Sequence, residues 1–307
     1  MTSGEGAQSD AAVYVRLFGG LGNQMFQYAA GLEAASHHNC PLKIDISWYE
    51  CQEKREYLLD RWVVDVQIAE KDELAQFARR GFAGWARPRF REYFLPFKKL
   101  RIYRQPTPHY DTDFLQVAPP VQLQGYFQSE LFFSSVSARL RAEFQPRDPL
   151  SESSQRFLCL IEAAVWPVAL HVRRGDYVNH AKVREVHGTC SADYYRRARR
   201  IMDSLSGERA HYFVFSDEPE NAMEVLQDHD LSRLTIVTAN DERPWEDMHL
   251  MAACRDNVIA NSSFSWWGAW LNAHPDKTVI APRRWFQREA MLQRSLVDLI
   301  PDGWVTL

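Results

Sequence analysis

Short apolar runs of strand length alternate along this chain with longer stretches of helical spacing. Ala12–Arg16 is such a run, and the glycine-rich turn Gly19-Gly20-Leu21-Gly22-Asn23 follows it. Apolar side chains then return at Met25, Tyr28, Ala29 and Leu32, one face of a helix. Strand, glycine turn and helix are how nucleotide-binding units open. A strand over Leu42–Ile46 comes next. In the second half the pattern predicts strands over Val165–Val172, His211–Ser216, Leu234–Thr238, Asn257–Ala260 and Thr278–Ala281. Between them it predicts helices over Ala192–Ser204 and Glu220–Gln227, from about Pro244, and from near Ser263. Pro244 suits a first helical turn, where its missing N–H costs nothing. Trp245, Met248 and Met251 have the spacing of a buried helix face. Strands alternating with helices imply βαβ units and a parallel sheet.

The rhythm breaks at Gln145–Ser154, where prolines, serines and charges cluster, so a linker is expected there. The division that follows is a leader at 1–11, a first domain at 12–148 and a second at 155–307.

Composition narrows the function class. The 307 residues carry 36 Lys+Arg against 40 Asp+Glu, a net charge of −4 that speaks against broad nucleic-acid binding. No run of about 18 apolar residues exists, and the first dozen residues lack the basic start and apolar stretch of a signal peptide. A cytoplasmic protein is the expectation. The five cysteines are odd in number, widely spaced and without a C-x-x-C, which suits reduced thiols, each read as a small buried hydrophobe. Residues 79–104 stand apart, with basic side chains interleaved with Phe82, Trp85, Phe90, Tyr93, Phe94, Phe97 and Tyr103. An irregular excursion packing its aromatics inward explains them; so does peripheral contact with anionic lipid at the inner membrane face.

Ligands of parallel α/β sheets bind at the carboxyl ends of the strands. Those ends in the second half read His171-Val172-Arg173-Arg174-Gly175-Asp176, then Ser216-Asp217-Glu218, then Asn261-Ser262-Ser263-Phe264. Each suits a nucleoside diphosphate. Guanidinium forks match phosphate oxygens bidentately. Ser262 and Ser263 open a helix, whose free N–H groups and positive dipole end attract an anion, although they also serve as ordinary N-caps. Asp217 can accept hydrogen bonds from a base or a ribose.

Together these residues carry a resemblance. His171–Val178 (HVRRGDYV), Val214–Glu218 (VFSDE) and Asn261–Trp267 (NSSFSWW) resemble the motif set of glycosyltransferase family 11, the α-1,2-fucosyltransferases. Phe18–Ala30 and Gly125–Phe133 (GYFQSELFF) resemble two further blocks in the same order. The resemblance implies an α/β, GT-B-like fold: two Rossmann-like domains facing a cleft, the first on the acceptor side and the second holding GDP-β-L-fucose. It implies inverting transfer of fucose to the 2-hydroxyl of a galactose in an oligosaccharide or lipid-linked glycan, with no metal and no cofactor. Arg173 would grip the diphosphate, with Arg174 and Asp176 completing that motif and His171 lining the donor pocket. Asp217 would lie near the guanosine and Ser262, Ser263 and Phe264 around the pyrophosphate. Gly20, Asn23 and Gln24 would close over donor and acceptor. Asp176 is the candidate base, with Glu185 and His187 in reserve. A fucosyltransferase of another linkage and an inactive nucleotide-sugar-binding protein are the alternatives.

Other motifs weigh less. Asp111-Thr112-Asp113 has the D-x-D spacing of metal-dependent transferases but follows a turn-like stretch instead of an apolar strand. Gly20-Leu21-Gly22 lacks the third glycine of a dinucleotide fingerprint, because Met25 occupies its place. Arg174-Gly175-Asp176 follows an apolar strand, unlike an adhesive RGD loop.

Overall fold

The structure, a computed structural model, describes residues 11–52, 55–77, 101–173, 188–227, 230–237, 242–286 and 298–307. Two parallel sheets make up its frame. The first comprises β1 (Val13–Arg16), β2 (Leu42–Asp45), β3 (Gln67–Ile68), β4 (Ile102–Arg104) and β5 (Val121–Gln124), in the order β3-β2-β1-β5-β4. Its described helices are α1 (Leu21–His38), the single turn α2 (Lys71–Leu74) and α3 (Ser137–Glu143). The second sheet follows α4 (Glu152–Ala163) and holds β6 (Trp166–Val172), β7 (Ala210–Ser216), β8 (Leu234–Val237), β9 (Asp256–Val258), β10 (Val279–Ala281) and β11 (Val305–Thr306). Its order is β11-β10-β9-β6-β7-β8, with α5 (Ala192–Ser206), α6 (Pro219–Val225), α7 (Pro244–Ala253) and α8 (Ser263–Leu271) between strands. Two parallel sheets of this kind are the GT-B architecture.

The elements begin and end where local chemistry directs. Ser191 caps α5 by accepting from the Tyr194 N–H, and Gly207 closes it at φ +58°. Pro219 and Pro244 open α6 and α7 in first-turn positions. Trp245, Met248 and Met251 are buried, as their spacing predicts.

The first sheet has two unlike faces. Val13, Val15, Ile44, Val121 and Leu123 pack with α1 in the core. Parallel register puts Tyr14, Arg16, Lys43, Asp45, Gln122 and Gln124 together on the other face.

The expected linker, Gln145–Ser154, runs between the two halves and is held by polar contacts along its length. Trp62 bridges Pro146, the Val63 N–H donates to the Gln145 carbonyl (2.9 Å), and Ser151 Oγ donates to Glu246 Oε2 (2.7 Å). The cysteines are all free, but only Cys254 is buried. Cys159 lies on the outward face of α4 and Cys51 in an exposed turn, where an apolar core is out of reach. Strand ends also shift by a residue or two. β9 begins at Asp256 because its backbone pairs with Val168. The leader at 1–10 and most of the basic aromatic stretch, 78–100, lie outside the described residues; Ile102–Arg104 at its end form β4. Among the described residues no helix is long and apolar enough to cross a membrane.

Candidate active site

The order of the second sheet reverses between β6 and β9. From β6 the chain builds outward through β7 and β8, then returns to the other side of β6 with β9. The loops after β6 and β9 therefore diverge and leave a crevice at the carboxyl edge. Arg173 leaves β6 into this crevice, and Asn261-Ser262-Ser263 leave β9 into it. The two loops meet: Arg173 Nη1 donates to Ser262 Oγ at 3.4 Å. Ser262 also caps α8, its Oγ accepting from the Phe264 N–H at 3.3 Å. A fixed guanidinium thus stands beside a helix N-terminus, two sources of positive potential aimed at one place.

His171 lies one pleat below, buried, on the strand face it shares with Ala169, and its ring is 5.9 Å from that of Phe264. Burial, helped by the charge of Arg173 and opposed by Asp217, pushes its pKa down to about 3. The imidazole is neutral at pH 7, and its Nδ1 has no hydrogen-bond partner among the described residues. Asp217 stands exposed just past β7, close enough for its charge to be felt at His171. Asn261 holds the floor by donating to the carbonyls of Gly188 (3.2 Å) and Trp285 (3.1 Å).

The first half reaches this crevice through the glycine turn. α1 and α8 start against each other so closely that a Cβ on Gly22 would lie 2.6 Å from the carbonyl carbon of Ser263. Trp267 Nε1 donates to the Gly22 carbonyl at 2.9 Å and locks the approach. Gly20 is the N-cap of α1, and its carbonyl accepts from the Asn23 and Gln24 N–H groups. Asn23 Oδ1 accepts from Gln128 Nε2 at 2.8 Å. Gln24 is fully buried with both ends of its amide engaged, donating to the Glu56 carbonyl and accepting from the Leu58 N–H (2.8 Å each). It shapes the loop behind the turn.

The structure therefore brings together His171, Arg173, Ser262, Ser263 and Phe264, with Asp217 on the neighbouring strand and Gly20 and Asn23 across from them. Arg174, Asp176, Glu185 and His187 lie outside the described residues. Gly22, Gln128 and Trp267 are additional members of the assembly. The sequence signal for Gly22 was its place between Leu21 and Asn23, in a turn that fits no dinucleotide fingerprint. In the D-x-D segment Asp111 is consumed structurally. Its Oδ1 caps the turn by accepting from the Asp113 N–H (2.9 Å), and Oδ2 accepts from Tyr103 (2.7 Å).

The chain is 31% identical over 96% of its length to an α-1,2-colitosyltransferase of Escherichia coli, covering 98% of that protein. It is 29% identical over 96% of its length to the O-antigen biosynthesis glycosyltransferase WbnK of Escherichia coli, covering all of it. Among solved structures, Arabidopsis thaliana FUT1, a mutant in complex with GDP, superposes with a TM-score of 0.51 at 14% identity, covering 88% of this chain and 70% of that one, a likeness of fold. The sequence profile of glycosyl transferase family 11 matches residues 86–306, and with these relatives it establishes that the chain is a glycosyltransferase of family 11.

Proposed function

We propose that the protein transfers L-fucose from GDP-β-L-fucose to the 2-hydroxyl of a galactose, with inversion and without a metal. The observation that carries this reading is the contact of Arg173 with Ser262 at the start of α8, in the crevice between β6 and β9. In the transfer, the acceptor oxygen forms a bond to the anomeric carbon on the face opposite the diphosphate. The bond from that carbon to the phosphate oxygen breaks, and its electron pair leaves with GDP. Negative charge therefore grows on the diphosphate as the sugar becomes cationic. Arg173 and the amides at the head of α8 are preorganised against that charge and supply what a divalent ion supplies elsewhere. The acceptor proton leaves late, and Asp176 is the residue proposed to receive it. Asp217 takes the nucleoside side. His171, neutral and with no partner for Nδ1 among the described residues, lines the donor pocket as a hydrogen-bonding group.

Calorimetric titration with GDP and UDP in EDTA, on the wild type and on Arg173→Ala, tests the donor. GDP should bind without metal, UDP weakly, and the variant should lose about 10²–10³ in affinity or rate. A requirement for a divalent ion, or equal binding of UDP, would defeat the reading. The colitosyltransferase relative supports a second donor, because colitose is the 3-deoxy form of L-fucose. Transfer assays with GDP-fucose and GDP-colitose side by side, with product linkage read by NMR, separate the two.

A further inference from the structure

Where two parallel strands part, backbone groups lose their ladder partners, and the donor crevice is such a place. Pairing between β6 and β9 ends at Leu170 and Val258. The Pro167 carbonyl accepts from the Arg255 N–H at 2.9 Å, so by strand alternation the His171 carbonyl also faces the β9 side. There it lies beyond the last pair. On the other wall the Ile259 N–H donates to the Ile280 carbonyl of β10 at 2.9 Å. In that register the residue due to donate to the Ile259 carbonyl is Pro282, which has no N–H. Each wall therefore carries one carbonyl outside the ladder. His171 is two residues before Arg173, and Ile259 is three before Ser262.

Both carbonyls are met from the first turn of α5. Tyr195 Oη donates to the His171 carbonyl at 3.0 Å. Tyr194 Oη donates to the Ile259 carbonyl at 2.6 Å, with the Ile280 carbonyl at 3.1 Å. The two rings are buried and stand edge to face, 5.0 Å apart. Ser191 Oγ fixes the head of the helix by accepting from the Tyr194 N–H at 3.2 Å. The residues just before α5 add a third tie. Cys190 Sγ donates to Asn261 Oδ1 at 3.7 Å, and Asn261 Nδ2 donates back to the Gly188 carbonyl at 3.2 Å. Consecutive side chains of one rigid helix thus hold the two walls at a set distance. Losing either hydroxyl would leave a buried carbonyl unpaired and its wall without that restraint.

We propose that Tyr194 and Tyr195 are positioning residues for the transfer. They fix the separation of the crevice walls, and so aim Arg173 and the head of α8 at the same diphosphate. The inference rests on the transfer proposed above, because the tyrosines act through Arg173 and Ser262.

Calorimetric titration with GDP and, separately, with guanosine tests this. Tyr195→Phe and Tyr194→Phe should each raise the Kd for GDP about tenfold, the loss of one good contact. The Kd for guanosine should stay at its wild-type value, because the nucleoside lies on the Asp217 side. In transfer kinetics kcat should fall about tenfold while KM for the acceptor holds, since the charge on the diphosphate grows in the transition state. Tyr212→Phe is the control. Its hydroxyl is equally buried and donates to Asp203 Oδ1 of the same helix at 2.8 Å, at the end away from the crevice. It should lower the melting temperature comparably and leave both Kd values and kcat unchanged. Wild-type GDP affinity in both crevice variants, equal losses for GDP and guanosine, or the same losses in Tyr212→Phe would overturn the positioning role. A wild type that binds GDP no more tightly than guanosine would instead overturn the diphosphate reading. Hydrogen exchange would then still decide the role of the tyrosines. The amides of 171–173 and 259–263 should open faster in Tyr195→Phe than in Tyr212→Phe, and equal rates refute it.

Discussion

Arg173 and His171 show how two side chains of one strand end can differ in electrostatic state. The guanidinium stays charged at any working pH. The imidazole beneath it is desolvated and repelled by that charge, which holds its pKa at about 3. Unfolded, the same histidine titrates near 6.5. A folded-state value below the unfolded one means that the unfolded chain binds the extra proton first. The stability associated with neutral His171 is complete above pH 6.5 and drains away as pH falls toward 3. Between pH 7 and pH 5 this one group should cost about 2 kcal/mol. Denaturant unfolding at the two pH values, on wild type and His171→Gln, isolates it, since the variant should lack that increment. An identical pH slope in the two proteins would mean that the ring is more hydrated than its burial implies. The same scale sets what the sequence discloses. Arg173 and Ser262 are legible because residue type and strand-end position suffice to place them. Gln24 matches the same motif as Asn23, yet its amide is spent on the Glu56 carbonyl and the Leu58 N–H. Nothing in the local sequence marks that long-range use.

At the scale of elements, α8 is the piece on which the site turns. Its N-terminus faces the donor crevice, and its C-terminus is held by cations from two directions. Lys277 Nζ donates to the carbonyls of Ala269 (2.7 Å) and Asn272 (2.6 Å), and Arg141 Nη1 donates to that of Trp270 (2.5 Å). Cations there complement the helix dipole. Gly22 lets α1 approach the first turn, and the space it leaves is backbone-tight. Gly22→Ala must therefore push α8 away from Arg173. It should cost about 1–3 kcal/mol of stability and weaken GDP binding as well. Gly207→Ala is the control, because that glycine has φ +58° but open space around it. It should cost about 1 kcal/mol from backbone strain and leave GDP affinity intact. Calorimetry of both variants distinguishes a positioning contact from a general loss of stability. Here too legibility was uneven. The βαβ rhythm of the second half could be read from periodicity, since strands buried on both faces make continuous apolar runs. In the first sheet β1 and β2 were legible, whereas β3, β4 and β5 are only two to four residues long and polar residues such as Gln67, Arg104, Gln122 and Gln124 interrupt them.

Over the whole molecule, one hydrophobic cluster runs from the first sheet through α8 to β10 of the second. Phe26 and Phe133 from the first half pack on Trp266 and Trp267 of α8, with ring centroids 4.5–6.4 Å apart, and Phe144 meets Trp267 at 5.2 Å. Polar ties cross the same boundary. Trp270 Nε1 donates to Glu130 Oε2 (3.1 Å), and the Tyr110 N–H to Asp298 Oδ2 (2.8 Å). Domains joined by small polar interfaces move and melt separately, whereas a large apolar junction couples them. The α8 junction belongs to the second kind. Wild type should therefore unfold in one calorimetric transition, with the van't Hoff enthalpy equal to the calorimetric one. Trp267→Ala removes the ring that meets Phe26, Phe133 and Phe144 together with the bond to Gly22, and should cost about 3–5 kcal/mol. It should lower that transition or split it in two. Hydrogen exchange gives the sharper test. In wild type the amides of β1 and β5 should share their slowest opening with those of β6 and β7, because the α1–α8 junction ties the first sheet to the second half. If instead β1 and β5 exchange freely while β6 and β7 stay protected, the halves are separate bodies. The glycine turn would then be brought to the donor crevice by substrate and not held there by α8.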